Sequence, residues 1–103
     1  MSGTLQRLGI EELNTGAWAG APIPSTGEGS VASTNPSTGE VLARVQMASK
    51  ADYEVIVGAA HEAWLRWRML PAPKRGEIVR EMGDAMRAQK DDLGALVSME
   101  VGK

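Results

Sequence analysis

From Ser49 onward, apolar and polar positions alternate with the period of a helix. Tyr53, Ile56, Val57, Ala60, Trp64 and Trp67 fall at the three- and four-residue intervals that share one helix face. Ser49 stands where an N-cap belongs, and Asp52 three residues on makes a weak capping box, since Glu or Gln is usual there. Pro71 and Pro73 stop the helix, because proline lacks a donor and disfavours helix in the residue before it. Pro73 also suits the first turn of a following helix. Ile78, Met82, Ala85, Met86, Leu93, Leu96 and Val97 carry a second apolar face, which the polar run Gln89-Lys90-Asp91-Asp92 divides, with Asp91 as the cap of the later piece. Gly83 and Gly94 each cost about 1 kcal/mol relative to alanine inside a helix. Their presence predicts close approach of a neighbouring element, which points to packing against further protein. The tryptophans at helical spacing read as a packing stripe rather than a cofactor box.

Before Ser49 the pattern is shorter and more broken. Residues 1–14 read as a helical turn or a loose leader. Gly16-Ala17-Trp18-Ala19-Gly20 reads as a short strand anchored by Trp18, and residues 21–29 as a loop rich in Pro, Ser, Thr and Gly. Ser30-Val31-Ala32-Ser33-Thr34 and Val41-Leu42-Ala43-Arg44-Val45 are extended runs favoured by β-branched residues. Asn35-Pro36-Ser37-Thr38-Gly39-Glu40 between them is a turn, with Pro36 presetting φ and Gly39 free to take positive φ. The expectation is an antiparallel hairpin. Region 1–48 is thus a leader with a β-hairpin, and 49–103 a helical region.

Composition sharpens this division. Residues 1–48 hold only six of the 24 charged side chains. Leu, Ile and Val together number 20 of 103, with no Phe, which predicts a thin core and marginal stability unless further protein covers one face. A net charge of -2 offers no broad electrostatic footprint for nucleic acid or an anionic membrane. The sequence shows neither a run of about 18 apolar residues nor a basic-then-apolar leader, so a cytoplasmic setting is expected.

The chemistry on offer is sparse. With no cysteine, disulfides, thiolate metal sites and cysteine nucleophiles are excluded. His61, the one histidine, has no second histidine to form a metal site and reads as a boundary residue. Gly102-Lys103 does not complete a phosphate loop, because Val97 stands where the first glycine belongs. Lys74-Arg75 could clamp an anion at a helix start, but Arg75 is expected to pair along the helix with Glu77 or Glu81. Glu11-Glu12 and Asp91-Asp92 are adjacent in sequence, and helix neighbours do not face each other. No nucleophile and base come together.

The order of motifs nevertheless resembles one known family. Asn35-Pro36-Ser37-Thr38-Gly39-Glu40-Val41 resembles the turn and strand near the start of aldehyde dehydrogenases. Ala59-Ala60-His61-Glu62-Ala63-Trp64 through Trp67 is similar to the family's first helix. Pro71, Arg75 and Leu96-Val97-Ser98-Met99-Glu100-Val101-Gly102-Lys103 match later landmarks in order, and residues 71–80 look most like the antiquitin, or α-aminoadipic semialdehyde dehydrogenase, branch. The resemblance implies an α/β parent fold. In it this chain is an amino-terminal β-hairpin followed by two or three amphipathic helices, an incomplete part of one Rossmann-like, NAD-binding domain. It implies an oxidoreductase that oxidises an aldehyde to an acid with NAD(P) through a cysteine thiolate. The parent is a homo-oligomer, and the remainder of the dehydrogenase chain is the partner of this segment. The family's catalytic and main cofactor residues lie beyond the matched stretch. No catalytic, cofactor-binding or metal-binding residue is therefore carried onto any position here, and no bound cofactor is expected for the isolated chain. The leading expectation is an amino-terminal fragment of such an enzyme. The alternative is a non-catalytic helical interaction module that docks on itself or on an intact dehydrogenase.

Overall fold

A computed structural model describes residues 2–103. The chain opens with α1 (Gly3–Arg7), capped by the Ser2 hydroxyl, which accepts from the Leu5 amide. Leu5 is buried against the rest of the chain. Three short strands follow: β1 (Leu13–Thr15), β2 (Ala17–Trp18) and β3 (Pro22–Ile23). β2 and β3 pair antiparallel around Gly20, whose φ of 81° only glycine adopts without strain.

β4 (Ser30–Thr34) and β5 (Val41–Gln46) pair antiparallel across the turn at 35–40, with an irregularity between Ser33 and Thr34. Asn35 organises that turn. Its carbonyl accepts from the Gly39 amide at 2.8 Å, and its side-chain oxygen accepts from the Ser37 amide at 2.9 Å. β1 adds in parallel to the other edge of β5, giving the order β1-β5-β4. A sheet therefore mixes one parallel and one antiparallel neighbour around β5.

Three helices complete the chain: α2 (Lys50–Trp67), α3 (Ala72–Ala88) and α4 (Lys90–Val101). α2 begins at Ser49 with a full capping box. α3 and α4 are separated by Gln89 alone, which ends one helix and starts the next without a side-chain cap. Asp91 is thus not the cap. It lies in the first turn of α4 with Asp92, where negative charge complements the exposed amides. α1 packs on α4, and β2 on α2. The Arg7 guanidinium holds Asp92 at 2.7 Å, tying the two ends of the chain together.

Other expectations fail for one shared reason. Ala17 is fully buried, whereas Trp18, the expected anchor, is 61% exposed. The small residue, not the large one, is enclosed. Tyr53, Val57 and Trp64 remain largely exposed, so the α2 stripe covers no core within these residues. An alanine at Gly83 or Gly94 would meet nothing within 4 Å, so any close neighbour there lies outside the described residues. The helical periodicity is present, but its partner surface is not.

The overall shape follows. The radius of gyration is 16.6 Å and the extents are 48 × 34 × 18 Å, against about 13 Å expected for a compact domain of this length. The accessible surface is 7590 Å². A compact monomer of this mass exposes roughly 5,600 Å².

Candidate functional site

The most fully built polar cluster joins the loop after β3 to the start of α2. Asp52 is nearly buried, and its carboxylate accepts from the amides of Thr26 at 2.7 Å and Ser49 at 2.8 Å. The Thr26 hydroxyl donates to the second carboxylate oxygen at 2.9 Å. That hydroxyl has one proton, so the Ser49 hydroxyl, 2.6 Å away, donates to Thr26 Oγ1 while accepting from the Asp52 amide. These donors, led by the Ser49 and Thr26 amides, hold the Asp52 carboxyl down at about 2. A carboxylate so depressed and so fully bonded is a poor general base. Its role is to staple the loop to the helix.

A second cluster is equally closed. Thr15 Oγ1 bonds the Ile23 carbonyl and lies 2.6 Å from Ser25 Oγ, which accepts from the Gly16 amide at 2.7 Å. Among the described residues no buried side-chain polar atom lacks a partner. The Ser33 hydroxyl donates to the Glu100 carboxylate on the exposed surface, and no third group orients that pair among the described residues.

The residues singled out by sequence stay apart. His61 is exposed, with its ring 5.7 Å from Trp64, whose face also carries the Arg68 guanidinium at 4.9 Å. Glu11 and Glu12 are exposed, and Asn14 grips the Glu11 backbone rather than its side chain. Asp92 is engaged by Arg7, which lowers its carboxyl below the usual range, while Asp91 is exposed. Gly102 caps α4 with a φ of 77°. Arg75 does not pair with Glu77 or Glu81. Glu77 bonds Arg80 instead, one turn further round the opposite face. Among the described residues, no three His, Asp or Glu side chains converge as a metal site. No helix there is long and apolar enough to cross a membrane.

A dinucleotide does not fit these residues either. The connection from β5 to α2 is Met47-Ala48-Ser49, without the glycines that let a backbone approach a pyrophosphate. At the start of α2 the Ser49 amide already donates to the Asp52 carboxylate and the Asp52 amide to the Ser49 hydroxyl, and the carboxylate repels a second anion. The tie from Asp52 to Thr26 spans 26 residues, and only the capping pattern hinted at it.

Comparison with known proteins now gives this scaffold a context. A profile of the Aldehyde dehydrogenase family matches residues 23–103, and the chain belongs to that family. Within it the likeness is to the amino-terminal segment of the antiquitin branch. The chain is 49% identical over 100 residues to "Alpha-aminoadipic semialdehyde dehydrogenase" of Bos taurus, covering 96% of this chain and 18% of that protein. It is 46% identical over 101 residues to "Aldehyde dehydrogenase family 7 member A1" of Pisum sativum, covering 98% of this chain and 20% of that protein. The Rattus norvegicus semialdehyde dehydrogenase is 49% identical over 100 residues. The chain thus spans about a fifth of the length of the curated relatives it matches.

Proposed function

We propose that this chain is the amino-terminal segment of an NAD(P)-dependent aldehyde dehydrogenase that oxidises a semialdehyde of the α-aminoadipic type to the acid. In this reading residues 1–48 and 49–103 are together an incomplete part of one Rossmann-like, NAD-binding domain. They contribute scaffold and no catalytic, cofactor-binding or metal-binding residue. The remainder of the polypeptide supplies the site, and the assembled enzyme is an oligomer. The observation that carries the reading is the 49% identity over 96% of this chain to a relative it spans only to 18%. The chain's lack of cysteine agrees, since the thiolate chemistry of the family resemblance needs one.

The test is a graft. Residues 1–103 replace the aligned segment of the bovine relative, and NADH formation is followed with the semialdehyde. An active graft is expected, together with no NADH formation by the purified 103-residue chain. A soluble graft that forms no NADH, beside an active parent, overturns the reading.

A further inference from the structure

α3 carries a complete amphipathic pattern with nothing against its apolar side. Ile78, Val79, Met82 and Met86 lie at helical spacing on one face and are 36%, 58%, 61% and 65% exposed. The opposite face is a closed run of ion pairs, Glu77 to Arg80 to Asp84 to Arg87. Such pairs belong to the solvent side of a helix. Among the described residues, no other element makes more than marginal contact with α3, and none of its residues is buried. Arg75 falls in the middle of the apolar stripe, one turn before Ile78 and Val79, half-buried and without an ion-pair partner among the described residues.

We propose that the α3 stripe is a docking seam for the other four-fifths of an aldehyde dehydrogenase polypeptide, and that the surface seated on it is apolar with a carboxylate opposite Arg75. The proposal rests on the reading above and names the contact through which that segment joins the enzyme. Three observations select this occupant. The relatives carry about 80% of their length beyond what this chain matches. The exposed surface exceeds that of a compact monomer by roughly 2,000 Å², more than twice the area of about 800 Å² that each partner buries in a standard interface. Finally, an arginine buried on docking needs an acid, because an unpaired buried charge is strongly destabilising.

The last point argues against a second copy of this chain. In a two-fold contact the stripe meets itself, and it holds no carboxylate, so Arg75 would be buried unpaired or face its twin. A lipid surface is equally poorly matched. The polar face of α3 balances two acids against two bases, whereas interfacial helices carry an excess of cations.

The experiment uses the full-length graft and the purified chain in parallel. In the graft, Met82→Glu and Arg75→Met are expected to shorten the half-life of thermal inactivation several-fold, with Arg75→Lys retaining part of the loss. Arg80→Gln on the solvent side leaves it unchanged, since exposed pairs contribute little. In the 103-residue chain, Met82→Glu leaves the far-ultraviolet circular dichroism unchanged, because Met82 is already in water. An active graft indifferent to Met82→Glu overturns the seam while sparing the proposed function. Indifference to Arg75→Met overturns the carboxylate. A dimer of the chain that Met82→Glu dissociates in sedimentation assigns the stripe to a second copy, and loss of binding to anionic phosphatidylserine vesicles in the same variant assigns it to lipid. Either outcome sinks the proposal. A soluble but inactive graft whose thermal unfolding, followed by circular dichroism, is moved to lower temperature by Met82→Glu refutes the proposed function alone, and an insoluble wild-type graft refutes both.

Discussion

Asp52 shows how one side chain can join two segments that sequence reading treats separately. Its carboxyl titrates at about 2, below the ordinary 3.8, because the Ser49 and Thr26 amides bond the ionised form. A carboxyl depressed on folding contributes stability that is complete above pH 4 and is lost as the pH falls through 2. Acid titration followed by circular dichroism should therefore show loss of α2 structure in that window. Asp52→Asn should lower stability at pH 7 and flatten this acid limb, and an unchanged limb would assign it to other carboxyls. Gly102 supports a second residue-level prediction. Its φ of 77° and the 2.8 Å between a built Cβ and Pro36 Cγ make Gly102→Ala doubly unfavourable. A loss of more than about 1 kcal/mol is expected in chemical denaturation.

At the scale of elements, what could be read in advance was local. Ser49 with Asp52 marked the start of α2, Pro71 and Pro73 marked the break before α3, and Pro36 with Gly39 marked the turn between β4 and β5. Each is a short-range rule about capping, donors or φ. The failures were long-range. β1 joining β5 in parallel, Arg7 reaching Asp92 across 85 residues, and Ser33 bonding Glu100 left no periodic trace. Gly83 is instructive. Its cost points to a close neighbour in further protein, and within this chain a Cβ there is free of contacts. In the isolated chain Gly83→Ala should therefore stabilise α3 by about 1 kcal/mol, read as higher helicity at 222 nm. In the graft the gain should shrink or reverse if another element comes within van der Waals reach. A gain of equal size in both contexts would show that Gly83 faces water throughout.

The whole molecule is held together by few buried groups. Among the described residues, Leu5 and Ala17 are the buried apolar residues and Asp52 is the buried charge. Trp18 and Trp64 are 61% and 49% exposed, while Trp67 is half-buried. Cooperative unfolding and the slope of a denaturation curve both scale with the surface that folding removes from water. A chain that keeps about 2,000 Å² in excess of a compact monomer should therefore unfold broadly, with a urea slope near or below about 1 kcal/mol/M. Its fluorescence offers a more local check. Indoles in contact with water emit at long wavelength and are reached by acrylamide, so the isolated chain should show red-shifted, strongly quenched emission. Docking onto the rest of a dehydrogenase should shift these tryptophans to the blue and protect them. If the isolated chain already emits at short wavelength and resists quenching, its apolar faces are covered by self-association. The exposed stripes of α2 and α3 would then belong to an assembly of this chain rather than to the interior of a larger enzyme.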